Sequence, residues 1–284
     1  MIDIVAKNLK EIRKKRGLTQ PDLAEGICTQ AMVSNFEKGG STPTGITLFE
    51  FAKKLNVDIN YFFNNSIEIK PENEEVKKLI RRFILHRDYE SINYIVRNEL
   101  EKKTFKNLED RQFLIWHRGI CEYYLEKNSV KSLETLNMAL NMTHPKIEEQ
   151  ELSIMNSIAI IYFEKKAYQD SLAWYKKIQK TCETGIKVDS LIQIKILFGF
   201  SRTLTYLEDY TEALDNCLKA IEKCIKEETL YLLGELLFQA GRISIFLEKF
   251  IDAERYLNKA EALFELEKND DFIKIIQKQR LKLI

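Results

Sequence analysis

Between Leu18 and Gly39 a set of amides, hydroxyls and one ammonium, Gln20, Thr29, Gln30, Ser34, Asn35 and Lys38, is interleaved with apolar residues at helical spacing. The amides of Gln30 and Asn35 each offer a donor beside an acceptor, the pattern that pairs bidentately with N6 and N7 of adenine, and the Ala31 methyl suits a thymine methyl. Gln20 and Thr29 stand at two helix N-termini, whose free N–H groups suit phosphate oxygens. The chemistry on offer is the reading of base edges, with Gln30, Ala31, Ser34, Asn35 and Lys38 as the surface that does it.

Those groups need a scaffold, and the local sequence supplies one. Thr19 is a capping hydroxyl with Asp22 three residues on, and Pro21 lies in the first turn, where a missing N–H costs nothing, so a helix starts at Gln20. Leu23, Ala24 and Ile27 form its inner face. Gly26 and Cys28 allow a sharp turn, Thr29 caps a second helix with Val33 and Phe36 inward, and Gly39 stops it. The order reads as a helix-turn-helix whose second helix carries the outward residues.

The helix Ile4–Lys15 packs Ile4, Val5, Leu9 and Ile12 against this pair, and Lys7, Lys10, Lys14, Lys15 and Arg16 fall on its other side or its end, where solvation and phosphate contact are both open. After STPT, the spacing of Ile46, Leu48, Phe49, Ala52 and Leu55 predicts another amphipathic helix, and Asp58 is placed to cap a short fifth, INYFF. This gives a five-helix domain over residues 1–65, a polar linker over 66–74 and a second domain over 75–284. Through TQ..LAE, the second TQ and the E.G ending, the first domain resembles the phage-repressor type of helix-turn-helix, although the turn between Glu25 and Thr29 is one residue shorter. That resemblance implies an ion pair between Arg13 and Glu37.

Composition restricts the rest. The 284 residues carry 44 basic and 43 acidic side chains, so a nucleic-acid surface has to be a local patch. Five cysteines, odd in number and without a CxxC, point to a reducing compartment, with cytoplasm as the default. No apolar run approaches membrane-spanning length and no signal-peptide core is visible, so neither export nor insertion is expected.

From Tyr89 onward an aromatic or apolar anchor recurs with a partner three positions later: Tyr89-Ile92, Val130-Leu133, Tyr168-Ser171, Tyr210-Ala213 and Phe250-Ala253. The period is about 40 residues, longer than the tetratricopeptide repeat whose aromatic and small positions it otherwise follows. Each unit also carries an apolar-small pair, such as Ile158-Ala159 or Ala240-Gly241, in a preceding helix. The expectation is an all-α chain: the repressor-like domain, then a right-handed superhelix of about five degenerate tetratricopeptide-like helix pairs, closed by a capping helix from Asp271 to Ile284.

The first helix of every pair should line a concave wall, and concave solenoid walls take extended ligands. Residues placed there are Lys77 and Arg81, His117, Asn156 with Ile160, Phe198 and Arg202, and Phe238 or Gln239 with Arg242. Asn156 and Gln239 can clamp a peptide backbone, Arg202 and Arg242 can hold a carboxylate, and the phenylalanines offer apolar contact. Ordinary packed or solvated helix positions are the competing reading for each.

The combination of repressor-like head, linker and five repeats resembles the quorum-sensing regulators of Gram-positive bacteria that bind short imported signalling peptides, those of the PlcR type above all. LAEGICTQAMVSNFEKG and GELLFQAGRISIFLEKFIDAE carry the resemblance. It implies a cytoplasmic, dimeric transcription regulator with palindromic double-stranded DNA and a short peptide as partners, Asn156 and Gln239 matching amides that hold the peptide. Near Phe198 and Gly199 the chain lacks an asparagine the family would place there. A protein-interaction scaffold and a response-regulator phosphatase-like modulator are the alternatives. An enzyme is not expected, since His86 and His144 have no triad around them and no phosphate loop is present. Nor is a metal or cofactor expected, because Cys121, four residues after His117, falls at a small packing position.

Overall fold

The computed structural model describes residues 2–57, 59–63, 72–102, 105, 107–142 and 147–281, and among them every regular element is helical. The chain divides into two compact units, Met1–Lys78 and Leu79–Ile284. Asp58 and most of the expected 66–74 linker fall outside the described residues, as do 282–284 of the expected capping helix.

In the first unit, α1 (Ile2–Lys15), α2 (Gln20–Ala24), α3 (Gln30–Glu37) and α4 (Gly45–Leu55) enclose Leu9, Ile12, Leu23, Val33, Phe51 and Leu55. The fifth element, expected as a short helix, is a short helix of the 3-10 type, Ile59–Phe63. Its carbonyls at Tyr61 and Phe62 both accept from Asn8 Nδ2 at 3.2 Å, which ties the segment to α1. Arg16 closes the end of α4, giving Nε to Leu55 O at 3.0 Å and Nη2 to Asn56 O at 3.3 Å. Of the five basic residues considered for phosphate contact, it is therefore engaged in the fold.

The second unit is built from helix pairs. The first helices are α5 (Glu72–Leu85, its N-terminal half within the first unit), α7 (Leu108–Tyr124), α9 (Glu149–Glu164), α11 (Ser190–Tyr206) and α13 (Leu233–Phe246). Their partners are α6 (Tyr89–Lys102), α8 (Ser129–Leu140), α10 (Tyr168–Cys182), α12 (Tyr210–Lys226) and α14 (Phe250–Leu266), and α15 (Asp270–Arg280) caps the end. Each sequence anchor is thus the first or second residue of a second helix. Successive first helices α7, α9, α11 and α13 also touch one another, forming a continuous inner layer.

Where the helices of a pair cross, a buried serine hydroxyl donates to a carbonyl opposite: Ser132 to Gly119, Ser171 to Ala159 and Ser201 to Ala213, at 2.6, 2.9 and 2.7 Å. Close approach also occurs between pairs. A Cβ on Gly199 would lie 2.0 Å from the Tyr175 hydroxyl, so the large ring fits only because that position is bare. The turns inside the pairs share one device, a left-handed residue that is never glycine: Arg87, Lys127, Lys166, Glu208 and Glu248. The next N–H returns to the preceding helix, as in Asp88 N to Phe83 O and Lys249 N to Ser244 O, at 3.0 and 2.9 Å.

Anchor rings lie on rings that end the following first helix. Tyr89 stacks on Tyr124 at 4.2 Å, Tyr168 on Tyr206 at 4.8 Å and Tyr210 on Phe246 at 4.7 Å. At Val130 there is no ring to stack, and α9 ends instead on Glu164, whose carboxylate accepts from the Tyr124 hydroxyl at 2.9 Å.

Candidate nucleic-acid interface and peptide groove

Both short helices of the head begin on the hydroxyls expected of them. Thr19 Oγ1 accepts from Asp22 N at 3.3 Å while the Asp22 carboxylate takes Thr19 N at 2.7 Å, and Thr29 Oγ1 accepts from Met32 N at 3.3 Å. The hydrogen bonds from Thr19 hold the Asp22 carboxyl below its usual range. Gly26, at φ 77°, makes the turn between the helices.

Behind the recognition helix runs a polar chain, buried at Arg13 and Glu37 and open to solvent at Gln30. Arg13 Nε and Nη2 donate to the two Glu37 oxygens at 2.5 and 2.9 Å, and the pair implied by the repressor resemblance is in place. Burial pushes the Glu37 carboxyl up, but the hydrogen bonds from Arg13 and Gln20 and the Arg13 charge outweigh it, and its pKa ends lowered. Gln20 Nε2 donates to Glu37 Oε2 at 2.9 Å, and Gln20 Oε1 accepts from Gln30 Nε2 at 3.0 Å.

This chain separates the sequence-derived contacts by role. Gln20, expected at a phosphate, uses one end of its amide on Glu37 and the other on Gln30. Gln30 keeps Oε1 and its second N–H, enough for a bidentate bond to adenine. Ala31, Lys38 and Thr29 are exposed and Ser34 half-buried on the same helix. Asn35 is exposed but not free: Nδ2 donates to Ser41 Oγ at 2.8 Å, and its Oδ1 covers Gly40, where a Cβ would come within 2.2 Å. It fastens the turn that follows α3.

On the repeats, the expected groove residues divide likewise. Asn156 Oδ1 accepts from the Tyr175 hydroxyl at 3.3 Å, which leaves its amide N–H groups for a carbonyl. Gln239 is spent, with Nε2 on Thr205 Oγ1 at 2.8 Å and Oε1 near Arg242 Nη1 at 3.4 Å; it joins α13 to α11 and orients Arg242. Phe238 is buried edge-on to Phe272 of α15, whereas Phe198 and Ile160 are half-buried. Lys77 pairs with Glu74 at 3.0 Å.

His117 stands within the wall, 2% exposed, with its ring 4.1 Å from Phe113 and 4.4 Å from Trp116. Burial, reinforced by the charges of Arg81 and Lys195, lowers its pKa to about 4. The ring is neutral, and its Nδ1, 2.8 Å from Phe113 O, donates there. Cys121 gives its thiol to Tyr89 O at 3.6 Å, and burial pushes its pKa up to about 12.

Several cations of this unit lie on aromatic faces. Arg81 is 5.4 Å from the Phe113 ring, Arg202 is 4.3 Å from Phe163 and 5.6 Å from Phe198, and Arg242 is 5.9 Å from Phe238. Lys195, 5.4 Å from the Tyr231 ring, was not singled out from sequence. Its spacing was the available signal, three residues before Phe198 and seven before Arg202 on one helix face.

Residues 77–284 match the model of the RNPP family C-terminal domain, and residues 9–62 match that of a helix-turn-helix. The fold is similar to Bacillus thuringiensis PlcR in complex with the peptide PapR7 and DNA, with a TM-score of 0.67, 28% identity, and 96% of this chain and 99% of that chain covered. It is similar also to the apo form of Bacillus thuringiensis PlcR, with a TM-score of 0.69, 26% identity, and 96% and 98% coverage. An uncharacterized HTH-type transcriptional regulator of Bacillus subtilis strain 168, YqaE, is 28% identical over 111 residues, 38% of this chain and 95% of its own.

Proposed function

The chain belongs to the RNPP family, and from that premise we propose that it is a sequence-specific DNA-binding transcription regulator governed by a short signalling peptide held on the inner wall of its repeats. The observation that supports the DNA half is the outer face of α3, where Gln30, fixed by Gln20 and the Arg13–Glu37 pair, stands beside the exposed Ala31 and Lys38. Fixed amides at the start of an exposed helix suit major-groove readout.

We assign the head to residues 1–65, the connection to 66–74 and the repeats to 75–284. One head of this size buries too little surface for tight binding, so the operator is palindromic and the protein acts as a homodimer, in the cytoplasm. Among the described residues no helix is long and apolar enough to cross a membrane. Peptide binding alters how the repeats stack and hence how two heads are held. A preference of about 1–3 kcal/mol for the DNA-competent arrangement gives roughly 5–150-fold coupling, equal in both directions.

Selection of randomised duplexes by the full chain tests the first part. Enrichment of an inverted repeat whose affinity falls steeply with salt is expected, and salt-insensitive binding without enrichment would overturn it. For the switch, calorimetry measures peptide affinity with and without the selected duplex. Equal affinities would refute the coupling.

A further inference from the structure

We propose that Lys195 and Arg81 form an anion-binding point on the inner wall of the repeats, so that the peptide taken there is acidic at two positions, one against Lys195 and Arg81 and the other against Arg202. The proposal rests on the peptide reading above and narrows it to a ligand chemistry.

The first observation is where charge sits on the inner helices. Within α11 the only ionised side chains are Lys195 and Arg202. In α9 the carboxylates are Glu149 and Glu151 in the first turn and Glu164 at the last residue; in α13 the single carboxylate is Glu235 in the first turn, and Arg242 follows two turns later. Acidic groups therefore stay at the helix ends on these helices, and the cations occupy the stretches between.

The second observation is that these cations are unanswered. Among the described residues Arg81, Lys195, Arg202 and Arg242 take part in no ion pair, whereas cations nearer the edges, such as Arg118 and Lys131, converge on Glu122. Each lies on a ring instead. A ring face returns less than a partly buried ammonium loses when water is stripped from it. Burial accordingly lowers the Lys195 pKa, and Arg81 works in the same direction against the pull of Asp189.

The third is convergence. Arg81 belongs to α5 and Lys195 to α11, with α7 and α9 between them in the order of first helices, yet both act on His117 and Arg81 acts on Lys195. Arg81 sits on the Phe113 ring, which itself lies 4.1 Å from the His117 ring, so the two like charges flank one stretch of wall and repel until an anion enters. Lys195 and Arg202 are seven residues apart on α11, two turns or about 10 Å along the axis, with Phe198 on the same face between them. A peptide with two carboxylates and an apolar side chain between them complements that row, its terminal carboxylate counting as one.

The test uses the full chain, immobilised and exposed to a synthetic library of randomised heptapeptides, with retained peptides sequenced and resynthesised. Asp, Glu or the free C-terminus should be enriched at two positions. Replacing either acid by its amide should weaken binding about tenfold in calorimetry, the scale of one charge-assisted contact. Lys195→Met should abolish discrimination at one position and Arg202→Met at the other. Because Lys195→Met removes an unpaired, partly buried charge, its melting temperature should equal or exceed that of the parent. Retained peptides without acidic enrichment, or acid discrimination unchanged in both variants, would overturn the proposal and leave the peptide reading standing. If no peptide is retained at all, the peptide reading itself fails and takes this one with it.

Discussion

Replacing Glu37 by alanine should melt the DNA-binding head while the repeats remain folded. The Arg13 and Glu37 side chains are 9% and 2% exposed, so the substitution strands a buried guanidinium and also removes the acceptor of Gln20. Breaking such a pair from one side costs about 3–5 kcal/mol, and a head of this size has only about 3–9 kcal/mol in all. Both tryptophans, Trp116 and Trp174, lie in the repeats, on α7 and α10. Tryptophan fluorescence should therefore keep its denaturation midpoint while far-UV circular dichroism gains an early transition and duplex affinity disappears. Exchanging both partners for apolar residues, Arg13→Met with Glu37→Leu, should recover most of the loss, because an apolar pair leaves no charge unpaired. The pair also sets an acid limb. The Glu37 pKa is lowered, so its stabilisation is complete above the ordinary carboxylate range and is lost as pH falls through the depressed value; Glu37→Gln should flatten that limb. A Glu37→Ala head that loses less than about 1 kcal/mol, or a double variant as unstable as the single, would refute the account of this pair.

Three further outcomes are expected. Gln30→Ala should cost about 1–3 kcal/mol on the selected duplex and relax base preference, whereas Asn35→Ala, which loosens the Ser41 turn, should weaken selected and random duplexes alike in anisotropy titrations; a relaxed preference for Asn35→Ala would return it to base reading. Gly199→Ala should destabilise the repeats by about 1–3 kcal/mol in a tryptophan-monitored urea titration, since its methyl overlaps the Tyr175 hydroxyl, and an unchanged midpoint would show that Tyr175 has room to move. His117, with a folded pKa of about 4 against an unfolded value near 6.5, contributes fully above pH 6.5 and loses about 3 kcal/mol as pH falls to 4; His117→Phe should remove that slope from melting curves, and an identical slope would place the ring in water.

Features closed by neighbours three or four residues apart were readable in the sequence. Thr19 with Asp22, Thr29 as a cap, and Tyr89, Tyr168, Tyr210 and Phe250 as starts of second helices need only local geometry. What escaped depends on which helix crosses which. No spacing says that Gln20 will be caught between Glu37 and Gln30, that Asn35 will bend onto Ser41, or that Gln239 will be taken by Thr205, because each partner arrives from another turn or helix. His117 and Arg81 illustrate the same limit: an alignment of repeats gives a residue its face, but the depth of that face depends on curvature. The turns inside the pairs were hidden for another reason. Charged residues such as Lys166 and Glu248 occupy a left-handed conformation that glycine would have advertised.

The ring-on-ring joints give the solenoid an uneven stiffness. Where Tyr89, Tyr168 and Tyr210 lie on the ring ending the following first helix, two flat faces resist being pulled apart but can shear past one another without breaking a hydrogen bond. Between the second and third pairs that bearing is missing, and the directional bond from Tyr124 to Glu164 tethers the joint at a point. A stack of this kind behaves as a leaf spring with one pinned leaf, so bending concentrates on the sliding joints to either side. Asn156 rides on the pinned helix, α9, about two turns before Glu164.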